Sequence, residues 1–93
     1  MTTVSVLIGN SDNKLTQLRW SEFVSQLDAI IYLYCRKVHF IGCTDSSSRY
    51  QTHCIVFEIA PRNLDDLKQD LLDLRDEFKQ DSIAVVVGKT ELI

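Results

Sequence analysis

From Thr2 to Ile8 polar and apolar positions alternate, with Val4, Val6 and Ile8 on one side and Thr3, Ser5 and Leu7 on the other. That period of two marks a half-buried strand. The run Gly9-Asn10-Ser11-Asp12-Asn13-Lys14 ends it with residues that accept tight backbone angles or bond their own backbone, which predicts a loop. The period then changes. Trp20, Phe23, Val24, Leu27, Ile30, Ile31 and Tyr34 recur every three or four residues, so one apolar stripe runs along a helix, with Thr16 as its N-cap. The helix is expected to end near Cys35, where Arg36 and Lys37 would complement the negative end of its dipole.

Val38 to Cys43 reads as a second strand, and Thr44 to Arg49, with no apolar member, as a hairpin loop longer than the two-residue minimum. A third strand is predicted from Tyr50 to Ala60 and is closed by Pro61. Asn63 is placed to cap a second helix, whose first turn carries Asp65 and Asp66, the favoured charge at that end. Leu64, Leu67, Leu71, Leu74 and Phe78 form its buried stripe. Lys79 to Ser82 makes a turn, and Ile83 to Val87 is a nearly continuous β-branched strand of the kind found in covered positions, ended by Gly88.

The order β-α-β-β-α-β predicts an α+β fold: a ferredoxin-like split β-α-β domain, a four-stranded antiparallel sheet with both helices on one face. The strands would lie in the order four, one, three, two. Tracing chain direction brings three connections to one end of the sheet: Gly9 to Leu15, Thr44 to Arg49, and Lys79 to Ser82. Loops held on a rigid scaffold concentrate binding residues, so this edge is the predicted site. Val4, Val6, Ile55, Phe57, Ile59, Ile83, Val85 and Val87 should face the helices. Leu7, Ile41, Cys43, Cys54, Val56, Ala84 and Val86 should face outward, a surface apolar enough to be covered by a second copy. A homodimer or higher homo-oligomer through the open sheet face is therefore expected.

The chain has 93 residues, 45% hydrophobic and 25% charged, with Gly 3 and Pro 1. Those figures fit one globular domain, residues 1–93, ordered nearly throughout, able to bury roughly 60 to 65 per cent of its unfolded surface. A net charge of −3 argues against duplex nucleic acid or an anionic membrane as partner, because both require clustered cations. The N-terminal run reads as a strand rather than a signal peptide, and no stretch is long and apolar enough to span a bilayer. Cys35, Cys43 and Cys54 have no paired spacing, which fits free thiols in the cytoplasm.

The sequence offers two candidate metal-ligand sets. His39, Cys43 and Cys54 on adjacent strands form one candidate metal set, and Asp12, Asp45 and Asp81 on the three loops another. Zinc needs three or four ligands in a closed geometry and cysteine is commonly buried in its own right, while Asp12 and Asp45 read as loop-bonding residues and Asp81 as a turn former, so no metal and no cofactor is expected. Of the two histidines, only His53 lies near the polar edge as a base, and it reads as a strand residue, so no catalytic residue is assigned. Gly9 before a helix is not a complete phosphate loop, although a helix N-terminus favours an anion.

What remains is a non-enzymatic oligomeric binder for a small polar, nucleotide-like ligand. Asn10, Ser11, Asp12, Lys14, Ser48, Arg49, Gln80 and Ser82 would supply polar contacts, Lys14 and Arg49 would meet negative charge, and Trp20 or Tyr50 would stack on a base. The alternative is a protein-interaction module or inhibitor in which the acidic face of the second helix, with Asp66, Asp70, Asp73 and Glu77, engages a basic partner.

The stretch Ile8 to Gln17 (IGNSDNKLTQ) with Trp20 and Phe23, then Phe57-Glu58, then Gln80-Asp81-Ser82-Ile83-Ala84 (QDSIA) with Thr90-Glu91, resembles a family of small uncharacterised bacterial and phage proteins. The resemblance spans nearly the whole chain, and its motif words fall on the first and third loops. Members carry a Pro-Trp-Gln-Asn-like stretch where this chain has Ser48-Arg49-Tyr50-Gln51-Thr52. The resemblance implies no particular activity. It does imply a phage or mobile-element setting, in which a binder would sequester a host signal.

Overall fold

In the computed structural model, which describes residues 2–10, 12, 14–44 and 51–93, one antiparallel sheet carries two helices on a single face. The elements are β1 (Thr2–Gly9), α1 (Gln17–Tyr34), β2 (Cys35–Cys43), β3 (Thr52–Ile59), α2 (Leu64–Glu77) and β4 (Ala84–Lys89). The strands lie in the order β2-β3-β1-β4, all antiparallel to their neighbours. This is the ferredoxin-like α+β arrangement that the element order predicts.

The alternation in β1 and β3 sets the core. Val4, Val6 and Ile8 lie opposite Phe57, Ile55 and His53 on the helix side, and the valines, isoleucines and Phe57 of this set are buried. Against them pack Trp20, Phe23, Leu27 and Ile31 of α1 and Leu67, Leu71 and Leu74 of α2. Phe23 stacks on Phe78 at a centroid separation of 4.8 Å, which joins the start of α1 to the end of α2. Burying a side chain of this size stabilises by roughly 1.5–3 kcal/mol relative to leaving it exposed.

Several boundaries differ from the sequence reading. There is no loop between α1 and β2. The Cys35 N–H closes the helix on the Ile31 carbonyl, and Arg36 and Lys37 already belong to the strand instead of the helix end. Asn63 does not cap α2 with its side chain. It sits in helical conformation at the end of a short 3₁₀ turn, Pro61–Asn63, that leads directly into the helix. Gly88 does not end β4 but pairs with Thr3, and Lys89 pairs with Thr2. Tyr50, the expected start of β3, lies outside the described residues.

The expected faces hold for β1, β3 and most of β4, but not for β2. Register shifts between Cys35 and Lys37 and between Val38 and Phe40 each insert an extra residue. After the second shift Ile41 lies opposite the buried Ile55, and Cys43 opposite His53, so both fall on the helix side rather than the open face. Phe40 takes the outward place opposite Val56 and is 56% exposed. A bulge reverses the facing of every residue beyond it, which alternation alone does not reveal. Val87 faces the helices as expected, opposite Val4, but is 44% exposed because β4 is an edge strand.

Candidate ligand cleft at the loop edge

Thr16 begins α1 as the sequence predicts, its hydroxyl accepting a hydrogen bond from the Arg19 N–H at 3.2 Å. The first turn holds no acidic residue, so the positive end of the helix dipole is not offset locally. Ahead of it, Asn10 fixes the path of the loop. Its amide nitrogen donates to the Leu15 carbonyl at 3.0 Å and to Gln51 Oε1 at 3.1 Å, and its Oδ1 accepts from the Leu15 N–H at 3.0 Å. Its own backbone N–H donates to the Gln51 carbonyl at 2.9 Å. Both amide protons of this buried side chain are committed, so Asn10 organises the edge and has no donor left for a ligand.

Gln51 carries the same network across to the helix. Gln51 Nε2 donates to Gln17 Oε1 at 2.7 Å and Gln17 Nε2 donates back to Gln51 Oε1 at 3.0 Å, a reciprocal amide pair. Thr52 N–H donates to the Thr44 hydroxyl at 3.0 Å and closes the base of the hairpin. The first loop, the hairpin base and the start of α1 are thus held together without a charged group.

A charged link joins the first loop to the third. Lys14 Nζ donates to Asp81 Oδ2 at 3.0 Å and lies 3.7 Å from Asp12 Oδ2. The bond to the Asp81 carboxylate raises the pKa of the Lys14 ammonium above its ordinary value, with Asp12 adding to the effect, so Lys14 is charged throughout the neutral range. Asp12 also accepts from the Lys14 backbone N–H at 3.2 Å, which turns the loop back on itself.

Clefts lie on the two sides of this bridge. On one side, about 330 Å³ is bounded by Gly9, Asp12 and Thr52 and by Gln80, Asp81 and Ser82, with Leu7, Ile8 and Ala84 as its floor. On the other, about 450 Å³ is bounded by Lys14, Thr16, Arg19 and Lys79, with Leu15, Phe78 and Glu77. The first side carries carboxylates and an amide. The second carries three cations beside the helix N-terminus. Arg19 is held in place there, its guanidinium carbon 4.2 Å from the Phe78 ring centroid and its Nη1 bonded to Glu22.

Lys79 occupies an uncommon conformation. The end of α2 is closed by the Gln80 N–H on the Arg75 carbonyl at 2.9 Å and by the Lys79 N–H on the Asp76 carbonyl at 3.2 Å. This paired closure needs a left-handed residue at the position normally taken by glycine, and Lys79 supplies it at φ 54. Such strain in a non-glycine residue often accompanies a functional requirement for the side chain.

Of the residues expected at the site, Asp12, Lys14, Gln80 and Ser82 meet at these clefts. Asn10 supports them from beneath. Trp20 is buried edge-to-face against Phe23, with centroids 6.2 Å apart, and belongs to the core. Ser11, Ser48, Arg49 and Tyr50 lie outside the described residues, as does Asp45 of the acidic metal set. The sequence reading missed Gln17, Arg19, Gln51, Thr52 and Lys79 as site residues and took Asp81 for a turn former or a metal ligand. Nothing in hydrophobic periodicity marks them, and the two longest links, Gln17 to Gln51 and Lys14 to Asp81, join segments 34 and 67 positions apart.

The other candidate chemistry is dispersed. His39 lies 3.4 Å from Glu58, Cys54 is opposite Gly42, and Cys43 is opposite His53, so the sulfur and imidazole set does not converge. Among the described residues no cluster suited to a metal ion occurs. His53 is buried beneath α1 with Nε2 2.9 Å from Asp28 Oδ1, away from the clefts. Burial pushes the Cys35 thiol up, which keeps it protonated and unreactive at neutral pH.

No family model matches this chain, and no curated protein matches its sequence. Solved structures do resemble it. A de novo designed protein superposes with a TM-score of 0.69 at 6% identity over 97% of this chain and 98% of that one. Formyltetrahydrofolate deformylase from Burkholderia mallei gives 0.57 at 10% identity over 94% of this chain, which spans only 27% of the deformylase. A Streptococcus pneumoniae protein gives 0.52 at 13% identity, covering 99% and 90% of the two chains. At these identities the likeness is one of fold alone. Within the described residues no helix is long and apolar enough to cross a membrane.

Proposed function

We propose that this protein is a non-enzymatic binder of a small polar, nucleotide-like ligand that straddles the Lys14–Asp81 bridge. The observation that carries the proposal is the division of polarity at that bridge, with Asp12, Gln80, Asp81 and Ser82 on one side and Lys14, Arg19 and Lys79, against the single carboxylate Glu77, beside the start of α1 on the other. Cations at a helix N-terminus suit a phosphate. Carboxylates and an amide suit hydrogen-bond donors, such as the hydroxyls of a sugar or the amino edge of a base. The ligand class therefore combines an anionic group with a donor-rich one.

The motif resemblance favours a phage or mobile-element setting, in which such a binder would withhold a host nucleotide signal. A second copy covering the open sheet face is part of this reading, supported by the exposed Phe40 and Val86 on that face. The acidic face of α2 is less suited to a partner, since Asp70 accepts from the Tyr34 hydroxyl at 2.6 Å and Asp73 from Gln69 at 3.2 Å.

The test is thermal-shift screening against nucleosides, nucleotides and cyclic nucleotides. A ligand at 100 times its dissociation constant stabilises by about 2.7 kcal/mol. Lys14→Ala and Asp81→Asn should each abolish that shift while leaving the free protein's melting temperature nearly unchanged, because exposed pairs contribute little to stability. Charge reversal at Asp70 and Asp73 should leave it intact. A shift that survives both cleft substitutions and disappears with the α2 reversals would refute the proposal.

A further inference from the structure

The two outer edges of the sheet are built differently. β2 is interrupted by two register shifts and carries Arg36 and Lys37, features that keep an exposed edge from pairing with another chain. β4 has no such shift, and its one charge, Lys89, stands at its last position. From Ala84 to Gly88 it holds no charge and no proline, it pairs with β1 without a shift, and among the described residues no strand lies on its other side. Val86 and Val87 are 59% and 44% exposed. Five uncharged residues of regular strand, three of them valines, thus present an unpaired backbone edge.

Beside that edge lies an apolar groove of about 240 Å³, walled by Leu71 and Leu72 of α2 and by Ile83 and Val85, with Lys68 and Arg75 at its rim. Leu72 is 43% exposed. The groove adjoins β4, and its rim carries the cations Lys68 and Arg75, the latter bonded to Asp76 at 3.1 Å.

We propose that a second copy of this chain pairs antiparallel with β4 about a two-fold axis at Val87, which makes one continuous sheet across two protomers. Side-chain facing restricts the register. Val85 and Val87 lie opposite Val6 and Val4 and so face the helices. Residues directly opposite in an antiparallel pair share a face, so odd positions of one β4 must meet odd positions of the other. With the axis at Val87, each Val87 meets its copy, Val85 meets the aliphatic stem of Lys89, and Ile83 meets Glu91. That register brings the Glu91 carboxylate of each protomer to the Arg75 rim of its partner's groove. The charge match selects a copy of this chain over an unrelated strand. The interface lies along the backbone edge of β4 and depends neither on the ligand reading nor on a second copy covering the open sheet face.

Sedimentation in a Val56→Lys background tests it, since that substitution places a charge on the open face and removes any contact there without touching β4. The background protein should sediment as a dimer. Adding Arg75→Glu should raise its dissociation constant at least tenfold, and adding Glu91→Arg to that variant should restore the dimer, with circular dichroism verifying the fold at each step. Val87→Lys should give a monomer of half the mass. A monomeric Val56→Lys protein, or a charge exchange that fails to restore association, would overturn the proposal.

Discussion

Replacing Asn10 by alanine removes the side chain that ties the first loop to the hairpin base, and its cost can be worked from the bonds it makes. Three hydrogen bonds of 3.0 to 3.1 Å are lost. Gln51 Oε1 retains its bond from Gln17, so that loss is partly compensated. The Leu15 N–H and C=O are different, because Leu15 is buried and neither group has another partner among the described residues. A net hydrogen bond is worth about 1 kcal/mol, and a buried group left without a partner costs about 1–3 kcal/mol. Asn10→Ala should therefore destabilise the domain by about 3 kcal/mol, which for a domain of this size lowers the melting temperature by on the order of 15 °C. Urea unfolding followed by circular dichroism measures it directly. Asn10→Asp keeps the acceptor for the Leu15 N–H but loses both donors, and should fall between the alanine variant and the wild type. A loss below about 1 kcal/mol for Asn10→Ala would show that the loop does not depend on this network. A loss of ligand binding with unchanged stability would instead return Asn10 to the role of a direct ligand contact.

Lys79→Gly should raise the free protein's stability by about 0.5–1 kcal/mol by relieving the left-handed backbone, while weakening the ligand-induced thermal shift through loss of a cation; a destabilised variant would contradict the strain assignment. The Thr90 hydroxyl, beside Glu58 although outside strict hydrogen-bonding geometry, and His39 at 3.4 Å hold the Glu58 carboxyl below its usual range. The folded state thus binds fewer protons there than the unfolded chain, so this contribution is present above the ordinary carboxylate range and is lost as pH falls through the lowered value. Glu58→Gln should flatten the acid limb of stability in urea unfolding between about pH 2 and pH 6, and an unaltered limb would refute the assignment.

Local pattern determined the elements of this protein. The alternation of Val4, Val6 and Ile8, the stripe from Trp20 to Tyr34 and the stripe from Leu64 to Phe78 each depend on neighbours within one or two turns, and with the element order they specify the sheet and the helix layer. The polar loop edge was legible for the same reason, since strand direction follows from connectivity alone. Only the tertiary structure decided how that edge is organised. The Asn10–Gln51–Gln17 network and the Lys14–Asp81 bridge join residues far apart in sequence, and an amide or carboxylate in a polar loop carries no local sign of its distant partner. The facing of β2 was hidden likewise, because a bulge depends on how two strands meet, and one inserted residue moved Ile41 and Cys43 to the helix side. The left-handed Lys79 has the same origin: a residue that local propensity disfavours there is held by the helix closure it completes and by the packing of Phe78 beneath it.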